Sequence, residues 1–587
     1  MRKLTFSKKL LILPLIIIPL TLSLFLFSMT DSIECYSIEM KKFSSLEELK
    51  TFLKTHPNPS RREASLGRSL SLRESYSATS DFSETNIQVQ GVDEADMVKT
   101  DGEYIYSLSG NNVFIVKANP PEEAMVMSKI TLNTTASEIF IKEDKLAVLG
   151  NYEQAYKTFV KIYDIADKEN PNFEREISTD GEYFTSRMVE EYVYFVSRKP
   201  VGYSENLVLP KISYNEKTCE VSVTEIYYCG IPDYFYHFVT IMAINIEDNT
   251  HEPEHLTLLL GETNILYASL NNIYIAVGRN TWSTKSERTL LHRIKIAKDK
   301  IDYVAYGEVP GNVLNQFSLD EFEDYLRIAT TTGHVARILS EATSKNHIYV
   351  LNMNLDIIGK LEDLAPGEQI YSARFMGERC YLVTFKKVDP LFVIDLKEPS
   401  DPQVLGYLKV TGYSDYLHPY DETHIIGVGK ETAAAESEDF AWYQGVKISF
   451  FDVTYVTEPE EIAKYVIGDR GTESPVLHDH KAFLFDKSKK LLVIPILLAE
   501  RKVSGQVPPF TGGDYVWQGT YVFHISLDEG LVLKGRITHI EHDNIFDAGF
   551  HVKRALYVGN VLYTISNKKI VMNSLEDLQL IGEIKLI

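Results

Sequence analysis

Only four cysteines and three tryptophans occur among the 587 residues. So few cysteines exclude a disulfide-framed scaffold. Basic charge is also short, with 60 Lys and Arg against 82 Asp and Glu for a net charge of −22. That balance lacks the footprint of a nucleic-acid binder. Several catalytic signatures are missing as well. There is no HExxH, and no G-x-S-x-G elbow, P-loop or dinucleotide fingerprint stands in a strand–turn–helix setting. What is present is a large apolar fraction, 44% hydrophobic against 24% charged, which excludes wholesale disorder. Tyr (35) and Phe (28) dominate the aromatics, a bias that suits strands. A chain of this length is either about four domains or one large repeat architecture.

The N-terminus sets a compartment. Arg2, Lys3, Lys8 and Lys9 precede the apolar run LLILPLIIIPLTLSLFLF at 10–27. A basic start before such a run is an export signal, and its length lies between a cleaved signal and a membrane span. Residues 1–30 are therefore read as a signal peptide or a membrane anchor, with the remainder sent outside. Cys35 follows Ser32-Ile33-Glu34, which is not a lipoprotein context. In an oxidising compartment Cys219 and Cys229, which flank CEVSVTEIYYC, are expected to bridge the mouth of a hairpin. Cys380 reads as core.

Within 31–84, residues 43–55 form a short helix with a capping box at Ser44 and Glu47, and a Ser/Arg-rich linker follows. From residue 85 to 587 short alternating strands are separated by Gly, Asn and Asp turns. Tyr163-Asp164-Ile165 is followed by Pro171, Ile394-Asp395-Leu396 by Pro402, and Phe451-Asp452-Val453 by Pro459. In each case a strand ends at the Asp and the Pro precedes the next strand. A second repeat matches 186–198 with 373–385. These marks give nine units, beginning near 86, 137, 183, 263, 317, 369, 413, 475 and 548. Repeated four-stranded antiparallel units of roughly 40–50 residues define an all-β propeller. Because such rings typically have 4–8 blades, eight is the favoured count. A β-sandwich array is the runner-up. Three tryptophans are too few for the repeated Trp docking of quinoprotein rings.

The stretches TNIQVQGVDEADMVKTDGEYIY (85–106), LAPGEQIYSARFMGERCYLVTFKKVDPLFVIDL (364–396) and SDYLHPYDETHIIGVGK (414–430) resemble a family of secreted proteins with a C-terminal β-propeller domain, distantly related to WD40 repeats. The likeness runs from about 43 to 587. It implies an exported propeller of archaeal and bacterial type, and it carries no catalytic residues to transfer.

Chemistry-bearing residues fall in three groups. Asp93, Glu94, Asp96 and Asp101 form an acidic cluster that is either a solvated turn or a Ca²⁺ site, though not of EF-hand spacing. His478 and His480 would share a strand face, and His539 and His542 sit near Glu541 and Asp547; together they are a Zn²⁺ candidate, against polar loop histidines. Arg187 and Arg374 occupy equivalent places at unit starts, with His418, His480 and Arg554 at comparable places. First strands line a propeller's channel, so these five would face an anionic ligand on the axis, or else pair with local acids such as Glu190 and Glu378.

The leading functional reading is a non-enzymatic surface protein that binds a cell-surface protein or glycan through loops or the channel mouth. It involves no nucleic acid, and the membrane only through the N-terminal segment. The Tyr-rich insertions at 198–238 and 430–445 are the expected contact surfaces. The alternatives are an extracellular hydrolase or lyase acting on polysaccharide or peptide in the channel, and a structural envelope component.

Overall fold

A computed structural model describes residues 40–55 and 81–586, except 153–154, 203–206, 231–234, 282–285, 337–340, 387–388, 435–440, 503–507 and 542–544. The N-terminal apolar segment, Cys35 and most of the linker lie outside the described residues. Among those described, no helix is long and apolar enough to cross a membrane.

Strand order follows from which residues can be buried on both faces. The second and third strands of each unit read as near-continuous apolar runs, such as Tyr192–Pro200 and Leu491–Glu500. Their fourth strands alternate, as in Glu460–Ile467, where every second side chain is wet. Runs of the first kind belong inside a stack of sheets and alternation belongs at an edge. Among the described residues the result is nine sheets with four-stranded antiparallel cores, numbered here one to nine: 98–131, 135–180, 182–260, 263–310, 319–364, 369–410, 413–467, 484–537 and 554–585. They correspond one for one to the nine units counted in the sequence. The strand order thus gives nine rather than the favoured eight, because the last sheet is built wholly from the C-terminus and shares no strand with the first.

Nine buried hydrophobic clusters fill the seams, one between each pair of neighbours. One of them closes the ring, packing Val98, Ile105 and Phe114 of sheet one against Leu556, Tyr563 and Ile584 of sheet nine. Across the same seam the Tyr563 hydroxyl donates to the Ala118 carbonyl at 2.6 Å.

The repeated Asp has a local task. Asp164, Asp395 and Asp452 each accept the backbone N–H two residues on, at 3.0, 3.0 and 2.8 Å. This Asx turn ends the third strand and starts the return. The next residue, Ile165, Leu396 or Val453, is buried and ties its N–H to the turn between the first two strands. Seams between blades also need glycine. A Cβ on Gly359 in the outer strand Ile357–Leu364 would sit 1.9 Å from the Pro399 carbonyl of sheet six, and one on Gly406 would sit 2.3 Å from the Val456 carbonyl of sheet seven.

The helix runs from Leu46 to Thr55 and buries Leu49 and Leu53. Its cap lies one residue later than expected: the Ser45 hydroxyl accepts from the Glu48 N–H at 3.2 Å, and Glu48 reaches back to the Ser44 N–H at 2.7 Å. The strand Met40–Lys42 before it pairs with Tyr227–Cys229, and Phe43 stacks on Tyr228 at 3.8 Å.

One expectation is corrected here. Cys219 and Cys229 are not bridged to each other. Cys219 sits in the hairpin strand Lys217–Glu220, which extends sheet two, whereas Cys229 ends a strand paired to sheet three. The span between them is therefore two separate edge pieces, not one hairpin. The described parts of the insertion at 198–238 supply outer-edge strands to sheets two and three, and Tyr228 and Tyr236 meet Phe52 of the helix.

Replacing Gly359 by Ala is expected to cost about 1–3 kcal/mol, because the new methyl meets a backbone carbonyl that cannot rotate away. Urea unfolding should show a lowered midpoint with an unchanged slope; an unchanged midpoint would mean the seam is looser than described.

Candidate functional site

Residues 81–97 do not begin the first blade, as the unit boundary near 86 implied. They form a strap that visits five separate sheets before sheet one starts at Val98. Phe82 bridges Val558 at the end of the first strand of sheet nine, flanked by Ser83 N–H to Tyr557 at 3.0 Å and Gly559 N–H to Asp81 at 2.7 Å. The Asn86 amide donates to the Tyr416 hydroxyl of sheet seven and to the His480 carbonyl, both at 3.0 Å. The Gln88 amide donates to the carbonyls of Gln316 and Leu319 at the entry to sheet five, at 3.3 and 3.1 Å. Val92 and Asp93 then pair with Val189 and Met188 of sheet three, and Asp96 bridges Ile139 of sheet two.

All five residues assigned to the axis are buried on first strands or the turns that lead into them. Their surroundings come from the chain itself. Arg554 grips Asp96 through three contacts of 2.9–3.1 Å and also bonds Asp479. The His480 ring lies 3.7 Å from the Glu94 carboxylate. Arg187 donates to the Thr185 hydroxyl at 2.7 Å, to the Ser186 carbonyl and to the Gln316 side chain at 3.2 Å. The Arg374 guanidinium lies 5.6 Å from the Phe317 ring centroid. Neither arginine uses Glu190 or Glu378 in these contacts; Glu190 instead faces Lys298. Phe317 also packs edge-on against His480 and near Tyr416. The turn Gln316–Ser318 therefore fills the axis together with the strap.

Electrostatics agree with this packing. Burial, and then the Arg374 charge, push the His418 imidazole well below its usual pKa, and its Nδ1 shares a hydrogen bond with the Tyr416 hydroxyl at 3.0 Å. Although burial opposes it, the Arg554 charge holds Asp479 below the ordinary carboxylate value. Lys481 is held up by Glu138 and Asp479 against the same burial cost, and it donates to the Ala95 carbonyl of the strap at 2.9 Å. Asp479, Lys481, Glu138, Gln88 and Phe317 were not singled out in the sequence, because their partners are distant in the chain.

The metal readings find no ligand set. Asp93 bonds Lys99 at 2.7 Å, and both oxygens of Asp96 are engaged by Arg554. His478 and His480 flank a tight turn rather than sharing a strand face; His478 is exposed and His480 buried. His539 is buried against Ser566 and Thr564 at 2.9 and 2.8 Å, and burial lowers its pKa to about 3. His542 lies outside the described residues. Among those described, no group of three or more His, Cys, Asp or Glu could hold a metal ion.

The open chemistry lies at one end of the ring. In a four-stranded antiparallel unit the link between strands two and three and the link to the next unit emerge where first strands begin. The described ends of three such links, Ala434 with Ala441, Glu500 with Asp514 and Thr538 with Lys553, therefore share that end. The strap touches sheets three and nine at the opposite ends of their first strands.

At the loop end Asp415 occupies a bulge in Tyr413–Asp421. Burial, with Glu473 adding repulsion against the pull of Lys430, raises its carboxyl to about 8. Around it the rings of Tyr371 and Tyr413 lie 4.4 Å apart and tilted by 55°, and the hydroxyls of Tyr371 and Tyr443 meet at 3.0 Å. Tyr443 is 40% exposed. Beyond it the Arg470 guanidinium lies 5.1 Å from the centre of the Trp442 ring, and Trp442 meets Phe510 edge-on at 5.9 Å.

A closed ring of four-stranded blades with its axis occupied by its own N-terminal strap is a β-propeller. Residues 82–578 match the model of the β-propeller domain family, so the chain belongs to that family, and the match takes in the strap. An uncharacterised protein of Methanocaldococcus jannaschii is 28% identical over 582 residues, covering 86% of this chain and 83% of that protein. One from Archaeoglobus fulgidus is 26% identical over 589 residues, covering 86% and 85%. Among solved structures, Hsv2 of Kluyveromyces marxianus (TM-score 0.32, 10% identity) covers 64% of this chain and 98% of its own. The periplasmic gluconolactonase PpgL of Pseudomonas aeruginosa (TM-score 0.32, 8% identity) covers 60% and 91%.

The Asp415 carboxyl gives a pH signature with a definite sign. Its pKa rises from 3.8 unfolded to about 8 folded, so its contribution to stability is full below pH 3.8 and is lost as pH rises toward 8. Asp415→Asn removes that loss. The variant should be more stable than the parent at pH 7, with the gap growing by up to about 1.4 kcal/mol per pH unit between pH 4 and 8. Urea unfolding across that range checks it; a constant gap would place the carboxyl in water.

Proposed function

We propose that this protein is an exported, cell-surface binding protein that makes its contacts with the loops at the open end of the ring and not through the channel. The observation that carries this reading is the filled axis. The cationic side chains that could have held an outside anion are packed against the strap, the turn at Gln316–Ser318 and the chain's own carboxylates. Export rests on the basic N-terminus and the 18-residue apolar run that follows it.

The hydrolase or lyase alternative asked for carboxylates converging in the channel. Asp96 lies beside Arg554, Asp93 beside Lys99 and Glu138 beside Lys481, which disfavours acid–base turnover there. At the open end the exposed rings of Tyr443, Phe510 and Tyr515 are the kind of surface that contributes most to recognition.

Hydroxyl-radical footprinting of the full chain, alone and mixed with the envelope fraction of its host, tests this. Protection is expected at Tyr443, Phe510 and Tyr515 and not at Phe173 or Tyr407 on outer strands. Protection confined to the outer strands would overturn the reading.

A further inference from the structure

The surface between sheets six, seven and eight has a composition that points to one class of ligand. Its exposed apolar area is made of aromatic rings: Tyr443, Phe510, which is 57% exposed, and the partly buried Trp442. Between the rings stand planar polar groups, the amide of Gln444 and the guanidinium groups of Arg470 and Arg501. We propose that this surface binds a neutral polysaccharide, its sugar rings lying on Trp442, Tyr443 and Phe510 and its hydroxyls bonded by Asp415, Gln444 and Arg470. The assignment rests on the reading that the open end is the binding face.

Three observations carry it. First, the platform is fixed before any ligand arrives. Arg470 donates to the Tyr443 carbonyl at 3.0 Å while covering Trp442, and the Gln444 amide donates to the Pro509 carbonyl at 2.9 Å. Arg501 closes the frame, donating to the Gln444 side chain at 2.6 Å and to the Thr511 carbonyl at 3.0 Å. Rings held this way lose little freedom on binding, which is how a shallow surface reaches useful affinity.

Second, the charge there is largely paired although the protein as a whole carries −22. Lys430 pairs with Glu473 at 2.9 Å and Arg501 with Asp469 at 3.6 Å. With Asp415 protonated, Arg470 is the one charge of these groups outside a pair, too little to draw a polyanion, and a polycation finds no anionic field. A sugar ring needs neither; it presents an apolar C–H face to an aromatic ring and a rim of hydroxyls to planar donors and acceptors.

Third, the carboxyl of Asp415 stands among Tyr371, Tyr413 and Glu473 where burial keeps it protonated near neutrality. A protonated carboxyl both donates and accepts, as does each sugar hydroxyl it would meet.

The test is isothermal titration of the full-length chain with three probes: the hexamers of β-1,4-linked glucose, α-1,4-linked glucose and β-1,4-linked N-acetylglucosamine. At least one should bind with a Kd below about 1 mM, with Trp442→Ala and Phe510→Ala each weakening it about tenfold, as expected for losing one stacked ring of about 1.4 kcal/mol. Phe510 is exposed, so its variant should keep the parent's unfolding midpoint and separates a lost contact from a lost fold. Binding untouched by both substitutions would overturn the location. If no hexamer binds at millimolar concentration, the polysaccharide assignment falls. Footprinting on the same preparation then separates the two claims: protection at the open end keeps the binding-face reading with another partner, and its absence overturns that reading as well.

Discussion

The buried grip of Arg554 on Asp96 joins the last blade to the approach to the first. It is the contact on which the closed ring depends most. Sheet one comes entirely from one end of the propeller chain and sheet nine entirely from the other, so no shared strand locks the circle. Closure rests on one hydrophobic seam and on the strap that carries Asp96. Removing one partner of such a pair leaves a charge stranded out of water, typically a loss of about 3–5 kcal/mol. The pair's net gain over apolar residues is small by comparison. Its value is selective: only one path of residues 81–97 brings Asp96 to Arg554, Glu94 to His480 and the Ala95 carbonyl to Lys481.

Function follows from the same constraint. A ring of nine blades leaves a wider axis than smaller rings, and an empty cationic axis would invite anions. Here the strap and the turn at Gln316–Ser318 occupy it, the strap tied to first strands through Asn86, Gln88 and Asp96. Chemistry open to a partner is thereby moved to the end where loops emerge. There the middle strands of sheets seven and eight carry Trp442, Tyr443 and Tyr515. The strap's charged contacts, Arg554 with Asp96 and His480 near Glu94, do not involve Trp442, Tyr443 or Tyr515, so the stabilising charges need not be disturbed for a ligand to bind.

Much of this architecture was legible in the sequence because its signals are local. Asp164, Asp395 and Asp452 each end a strand through a bond to the N–H two residues on, and that turn leaves the same Asp-to-Pro spacing wherever it recurs. Arg187 and Arg374 fell at equivalent places because each faces a tyrosine, Tyr194 or Tyr381, in the same ladder position. What could not be read were contacts between distant segments. GVDEADM looks like a turn opening a blade, and nothing in it announces Arg554. The His478-x-His480 pair looked like strand spacing because the two short turns around it have no alternation to betray them. Cys219 and Cys229 suggested one hairpin because the sequence does not show that each segment pairs with a different sheet. The preference for eight blades came from usual ring sizes, whereas the units themselves counted nine.

The most direct test of the occupied axis is hydrogen exchange of the backbone amides in residues 81–97 of the intact protein. Amides hidden within a sealed axis exchange only when the structure opens. The amides of Ser83 and Asp96 should therefore exchange as slowly as those in the first strands of sheets two and nine that they bridge. Complete exchange of this segment within seconds, with the sheets still protected, would mean the strap is not seated and the axis is open to ligands.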